Sequence, residues 1–398
     1  MAAESPARTI VRVVCLIALV AGLSAISSAL WRSKPEALPE PAKLVFRDGM
    51  TVGEFGRAND LSNPVLKGLF GLQNRSDLQN KLSQYGTPDE ITSLVRKKLA
   101  LTAEHATKNW VKIPIKFGLW FAFLIIIYRL LKRRKVTPIL RKWVLFISVG
   151  IFGVTMGSDP SPMGTVKDAI HLYASARAIF PPRMIALTIF LLIVFLANKY
   201  ICGWGCQVGV LQDLIFRLNR TDKSKAVLGR QVKPPFALTN TVRFIFLALF
   251  TAAAFAWGYD IIGPVDPFKI YKPAHIGLAG AIFVGILLVA SLFVYRLWCH
   301  FFCPFGLAGW LVEKLSRVKI SVDYETCIAC QKCAAACPST VMGAILRRDK
   351  KTIPDCFACY TCRDVCPTQS IAFSTRKRAV PPPGHFEKQR PVAGEEAE

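Results

Sequence analysis

Six stretches of apolar sequence decide most of what this chain can fold into. They run Ile10–Leu30, Trp110–Leu131, about Pro138–Met156, about Met184–Ile201, about Val242–Tyr259 and Gly277–Trp298. A helix needs roughly 20 apolar residues to cross a bilayer. Within lipid only helices and closed barrels satisfy every backbone polar group. The expected fold class is a membrane all-α protein of about six transmembrane helices, followed by a small α+β domain described below. Composition agrees: 52 % of the 398 residues are hydrophobic and 19 % charged, whereas a soluble domain is about a quarter charged.

The surplus of cations follows from topology. Lys+Arg number 51 against 26 Asp+Glu, a net +25. Residues 132–142 carry six Lys/Arg and no acid, and 216–243 carry seven and one Asp. Residues 157–183 hold three cations and two Asp, and 258–275 two of each. Basic loops collect on the cytoplasmic side, so 132–142, 216–243 and everything after Trp298 are expected there. The basic stretches lack interleaved aromatic platforms, so nucleic acid is not an expected partner. Lys223 to Lys233 and Arg376-Lys377-Arg378 could draw an acidic redox partner.

Thirteen cysteines are too many for ordinary core use, and twelve fall in four tight clusters. Cys327, Cys330, Cys333 and Cys337-Pro338 repeat twenty-nine residues later as Cys356, Cys359, Cys362 and Cys366-Pro367. Both obey C-x2-C-x2-C-x3-C-P, the pattern of two-cluster bacterial ferredoxins. Three thiolates at three-residue steps wrap three corners of a cube, and the fourth is directed to the other cube. Cys327, Cys330, Cys333 and Cys366 are therefore expected on one [4Fe–4S] cluster, and Cys356, Cys359, Cys362 and Cys337 on the second. Zinc sites favour C-x2-C pairs with a longer gap, and disulfides are disfavoured in the cytoplasm. The flanking VKISVDY and SIAFS suit the outer strands of a ferredoxin sheet.

Two further pairs close the fourth and sixth spans: Cys202-Gly-Trp-Gly-Cys206 and Cys299-His-Phe-Phe-Cys303-Pro304. A shift of 97 residues superposes Cys202 on Cys299, Cys206 on Cys303 and Gly209 on Gly306. Spans three and four thus form one hairpin and spans five and six another. The amphipathic stretches 207–218 and 304–316 are expected along the membrane surface. Cysteines at i and i+4 share a helical face. Cys202, Cys206, Cys299 and Cys303 could hold an additional metal or iron–sulfur centre, form redox disulfides, or brace the ferredoxin module. Cys15 lies within the first span as a small apolar side chain. Trp204, Phe301 and Phe302 read as interfacial anchors.

Two hairpins ending in C-x3-C, followed by a double ferredoxin motif, resemble the NapH/MauN/NosR/CcoG-type membrane polyferredoxins, which include quinol dehydrogenase membrane components. The resemblance covers roughly 138–374, with Gln207 standing where the family pattern has proline. It implies a multi-pass protein of the bacterial inner membrane, its ferredoxin domain cytoplasmic, passing electrons between quinone/quinol and a partner redox protein. An assembly or regulatory factor reducing a metal or disulfide, and an electron wire without a quinone site, are the alternatives; enzyme status stays open as a possible quinol dehydrogenase component. A quinol site must take up protons. His171, His275, Asp159, Asp260 and Asp266 flank the span ends opposite the ferredoxin and are candidates. His300 could order a thiolate, act as a ligand or meet a quinone headgroup.

The expected organisation is 1–31 as anchor or signal segment (Ser27 and Ala29 resemble a cleavage site), 32–109 as a small helical extracytoplasmic segment, 110–135 as second span and basic loop, 136–316 as a four-helix core, 317–375 as ferredoxin domain and 376–398 as disordered tail. In the second unit Thr51-Val-Gly-Glu54 and Thr87-Pro-Asp-Glu90 fit the capping box. A periplasmic docking or capping role is expected of it.

Overall fold

The computed structural model describes residues 5–31, 44–220, 226–347, 355–375 and 378–386. Lys223, Lys225, Arg376, Lys377 and the tail beyond 386 lie outside the described residues. Helix α1 (Pro6–Leu30) begins at Ser5, whose hydroxyl accepts the Arg8 N–H. Its Val13, Leu16 and Val20 enter the main core, while Cys15 is exposed on its outer face. Helices α2 (Val52–Ala58), α3 (Asn63–Phe70) and α4 (Pro88–Thr107) enclose a separate small core of Phe55, Leu66, Ile91 and Val95. Both capping boxes form: the Glu54 carboxylate accepts the Thr51 N–H at 2.9 Å and Glu90 that of Thr87 at 2.8 Å.

The membrane part comprises α5 (Lys112–Lys132), α6 (Pro138–Ser148) continued as a π-helix to Thr155, α7 (Pro162–Ala176), α8 (Pro181–Ala197), α9 (Tyr200–Trp204), α10 (Gln207–Leu218), α11 (Phe236–Trp257), α12 (Leu278–Ala290), α13 (Leu297–Phe301) and α14 (Pro304–Glu313). Among the described residues four helices are long and apolar enough to cross a membrane: Pro6–Leu30, Lys112–Lys132, Pro138–Thr155 and Phe236–Trp257. The fourth and sixth expected spans are shorter helices, of 17 and 13 residues. Helix α8 breaks at Asn198, φ 62°, whose N–H is taken by Ser316 Oγ at 3.1 Å. Before α13 the chain turns at Arg296, φ 49°. Hydropathy does not register such breaks, because the side chains on both sides remain apolar.

Helix α10 is packed inside the protein, and α14 in part. Ten of the twelve residues of α10 are buried, as are Phe305, Leu307 and Glu313 of α14. Two polar side chains of α10 find partners inside the protein: Gln212 Nε2 donates to Ser291 Oγ at 3.2 Å, and Asp213 pairs with Arg296 at 2.9 Å.

The last unit carries β1 (Lys319–Val322), α15 (Lys332–Ala336), α16 (Val341–Leu346), α17 (Thr361–Asp364) and β2 (Ile371–Ser374). The two strands pair antiparallel, Ile320 opposite Phe373, with Ile320, Val322, Met342 and Ile371 in the core. The described piece of the expected disordered tail folds back instead. Arg378 Nε donates to the Ile320 carbonyl at 3.0 Å, and the His385 ring lies 5.6 Å from that of Tyr324.

Candidate functional site

Each ferredoxin motif bends around its second cysteine in the same way. Ala329 and Gln331 flank Cys330 with φ of 57° and 52°; Ala358 and Tyr360, twenty-nine residues on, flank Cys359 with φ of 48° and 62°. Non-glycine residues rarely adopt this region; its recurrence at equivalent positions wraps each loop around a centre. Cys327, Cys330, Cys333 and Cys366 line one cavity of about 340 Å³. Cys333 lies within electrostatic reach of Cys366, Cys327 and Cys330. Cys362 has Cys337, Cys359, Cys356 and Cys333 within electrostatic reach. Among the described residues no three Cys, His, Asp or Glu converge on one point as a single ion requires. A cuboidal cluster asks for thiols spread around a cavity, and the first set is spread in that way. Hydroxyls accompany the sulfurs: Ser339 at 3.6 Å from Cys337 Sγ, Thr361 at 3.4 Å from Cys359 and Thr368 at 3.7 Å from Cys366. Such contacts tune cluster potential.

The four membrane cysteines also come together. All are buried, and Cys303 has Cys299, Cys206 and Cys202 as its electrostatic neighbours. The repeat is visible in their local structure. Cys206 stands at the N-cap of α10 and Cys303 at that of α14, where Cys303 Sγ accepts the Gly306 N–H at 3.3 Å. Glycine is required at both positions, since a Cβ would stand 3.0 Å from the Cys202 carbonyl at Gly209 and 2.9 Å from that of Cys299 at Gly306. Trp120 fixes the depth. Its indole nitrogen packs on Gly205, eight residues into α5, about 12 Å along the helix at 1.5 Å per residue.

The second ferredoxin motif is seated directly on these pairs. Asp355 is clamped by Lys199 and by Arg243, the latter at 2.9 Å. Burial alone would raise its pKa, but the two cations outweigh it and hold the carboxyl well below the usual range. Trp204 Nε1 donates to the Ala358 carbonyl at 3.1 Å; Trp204 is therefore an internal contact, 2 % exposed, and not an interfacial anchor. The Phe357 ring lies 4.9 Å from His300 and 6.1 Å from Tyr295. His300 Nδ1 is buried without a partner. Arg141 Nη2 reaches Asp364 at 2.6 Å. Arg363 donates to the carbonyls of Leu131 and Lys132, tying the module to the end of α5. Phe301 and Phe302 are half-buried.

On the opposite face the candidate proton acceptors are drawn into an ion network. Lys167 lies 3.1 Å from Asp260, 3.4 Å from Asp266 and 3.2 Å from Asp168, and Lys272 pairs with Asp159. Burial raises the Asp266 pKa. Asp159 would be raised likewise, but Lys272 and Lys108 bring it well below the usual range. His171 is half-buried with Nδ1 unpartnered, and burial lowers its pKa. His275 is half-buried and stands apart. Sequence reasoning missed Asp355, Lys199, Arg243 and Arg296. The available signal was a charge inside or at the end of an apolar span, which had been absorbed into loop topology.

Comparison with known proteins bears on both sets of cysteines. A family model described as a 4Fe-4S binding domain matches twice, at 179–225 and 276–323. The two matches start 276 − 179 = 97 residues apart and include the C-x3-C pairs. A 4Fe-4S dicluster domain matches 319–367. The chain is 36 % identical over 171 residues to the putative electron transport protein YccM of Escherichia coli K12, covering 40 % of this chain and 46 % of that protein. It is 25 % identical to the ferredoxin-type protein NapH of Haemophilus influenzae, over 56 % of this chain and 78 % of that one. The methylamine utilization ferredoxin-type protein MauN of Methylorubrum extorquens is 26 % identical, over 50 % and 68 %. No solved structure gives a significant match.

Proposed function

We propose that the chain, which is similar to the ferredoxin-type proteins NapH and MauN, relays electrons between membrane quinone/quinol and a partner redox protein. Cys327, Cys330, Cys333 and Cys366 hold one [4Fe–4S] cluster, and Cys337, Cys356, Cys359 and Cys362 the other. When bound, the clusters supply one-electron exchange. The protein's part is to set spacing and surroundings. The observation that carries this reading is the seating of Asp355-Cys356-Phe357-Ala358 on the two C-x3-C pairs. Trp204, Lys199 and Arg243 hold that segment, so the second ligand set faces the membrane thiols. The first set, with Cys327, Cys330, Cys333 and Cys366 all part-exposed, faces away from them, where a soluble partner can approach. Cys202, Cys206, Cys299 and Cys303 form an additional iron–sulfur or thiol redox station between lipid and module. The membrane is the bacterial inner membrane, with the module on its cytoplasmic side.

The test is anaerobic. The full chain is purified in detergent, iron and sulfide are counted, and a short-chain quinol is added while EPR and absorbance follow cluster reduction; a quinone is added to dithionite-reduced protein in parallel. About eight irons with exchange in either direction is the expected result. Iron beyond eight that is lost in Cys202→Ser places the excess at the membrane thiols. Full iron content without response to any quinone type overturns the quinone link and leaves a wire between protein partners.

A further inference from the structure

We infer that the quinone ring binds in a pocket on the membrane face opposite the ferredoxin module, between the start of α5 and the α7–α8 pair. The inference rests on the quinone-linked reading above and adds where the ring sits and which groups bind its oxygens. The pocket is a cleft of about 520 Å³, its open mouth included. Ile113, Phe117 and Phe180 give it apolar walls, and Lys108, Asp159, Asp168 and Arg183 are its charged lining. A few placed polar groups in an apolar surround suit a flat ring bearing two oxygens. A cation donates to the carbonyl form, and a carboxylate accepts from the hydroxyl form. The charged groups are held in place. Arg183 is bound to Glu104 at 2.5 Å and to Asp168 at 3.3 Å, and Lys108 to Glu104 at 3.1 Å.

Two further observations set this pocket apart from an accidental gap. The first turns of α5 offer an apolar approach from lipid, with Val111 and Ile115 exposed by 70 % and 48 %, along which an isoprenoid chain can lie. Packed aromatic rings fill the space between the pocket and the membrane thiols. Phe117, in the pocket wall, is 5.9 Å from Phe190 and 6.0 Å from Trp120. Phe190 is 6.3 Å from Phe305, two residues beyond Cys303, and Trp120 packs on Gly205 beside Cys206. The far end of α5, at Leu131 and Lys132, is where Arg363 of the ferredoxin module is bound. From Phe117 to Leu131 is about 21 Å along the helix, so a ring in this pocket and the ferredoxin module lie at opposite ends of one span.

In the oxidising direction the quinol O–H bonds break and the quinone carbonyls form. Two electrons leave one at a time to the iron–sulfur chain, whose own oxidant is the partner redox protein. The Asp168 and Asp159 carboxylates accept hydrogen bonds from the quinol hydroxyls, and the two protons pass to water on the face away from the module. Run in reverse, quinone takes two electrons from the chain and two protons from water on that face.

The test uses the full cluster-loaded chain in nanodiscs and a photoactivatable short-chain quinone. Label is expected in the peptides containing 108–117 and 159–168. Ile113→Trp, which fills the pocket from its rim, is expected to abolish most of that labelling and to raise the quinol concentration for half-maximal cluster reduction about tenfold, equivalent to about 1.4 kcal/mol of binding. The EPR spectrum of dithionite-reduced protein stays unchanged. Phe117→Leu keeps the label and slows cluster reduction. Label confined to other peptides, or exchange indifferent to Ile113→Trp, overturns this site while leaving the quinone reading intact. Wild-type protein that neither exchanges electrons with quinol nor takes label overturns that reading and this site with it. Should Ile113→Trp fail to load clusters, the wild-type label map and Phe117→Leu decide.

Discussion

Lys199 and Arg296 occupy equivalent positions in the two hairpins, 97 residues apart, and each reaches across to the backbone of the other. Lys199 Nζ donates to the Gly306 carbonyl at 3.0 Å, and Arg296 donates to the carbonyls of Cys202 and of Gly203, the latter at 2.6 Å. The cross-brace closes the space in which the four thiols meet. Both side chains are fully buried, so neither is replaceable by solvent. Arg296 also pairs with Asp213 at 2.9 Å. Arg296→Met leaves two buried carbonyls without their donor and Asp213 with only Arg217 and the Tyr295 hydroxyl, and removing one partner of a buried pair costs up to about 3–5 kcal/mol. Thermal unfolding of the membrane part is expected at a clearly lower temperature. Arg296→Lys restores little, because a point charge cannot serve three acceptors that a planar fork can.

The junction between module and membrane part depends on one carboxylate. Asp355→Asn leaves Lys199 and Arg243 facing each other without a countercharge, again about 3–5 kcal/mol, and most of it falls on docking. Hydrogen exchange should speed up at residues 356–362 while β1 and β2 keep their protection. The EPR signal of the second ligand set should change more than that of the first. Unchanged protection at 356–362 would mean that the clamp does not hold the module.

Gly203 gives an independent handle on the same contact. A Cβ there would overlap the Phe357 carbonyl oxygen. Gly203→Ala must push the second motif off the C-x3-C pair, whereas Gly150→Ala meets open space. Gly203→Ala is expected to retain iron and sulfide but to slow quinol-driven reduction of the clusters by about tenfold or more, as misplacements of about 1 Å do. Stopped-flow absorbance on the two variants measures this.

The crossed ligand sets give a prediction that a separated-motif arrangement would not. Cys366→Ser should disturb the cluster held by Cys327, Cys330 and Cys333, and Cys337→Ser the one held by Cys356, Cys359 and Cys362. Each variant loses about half of the iron, and their residual EPR spectra should be complementary. Identical residual spectra would show that each motif serves its own cluster.

Much of this was legible in the sequence for a physical reason: spacing is geometry. The C-x2-C-x2-C-x3-C-P runs placed their eight cysteines in two groups, and the 97-residue shift found both hairpins. Thr51 and Thr87 marked their helix starts because a capping box is a local hydrogen-bond exchange. Long-range relationships left no such trace. Nothing near Asp355 announces that Lys199 lies against it from 156 residues away. Trp204 looked interfacial because an aromatic at a span end usually is, yet its indole N–H is used by Ala358. Helix α10 looked amphipathic because it is; its polar face meets Ser291 and Arg296 instead of water.

The small unit at residues 44–107 carries its own pH dependence. Glu54 and Glu90 are held below the ordinary value of 4.5, first by the backbone N–H groups of Thr51 and Thr87 and then by the hydroxyls of the same threonines. A carboxylate whose folded pKa is depressed contributes stability that is fully present above the unfolded value and lost as pH falls through the folded one. The starts of α2 and α4 should therefore be steady from neutral pH down to about 5 and weaken below about 4.5. Protection factors of amides 52–55 and 89–91 in the full chain, compared at pH 6 and pH 4, measure this. Glu54→Gln and Glu90→Gln should start lower at pH 6 and show almost no further loss at pH 4. An acid-induced loss that survives in both variants would show that it does not come from these two carboxylates.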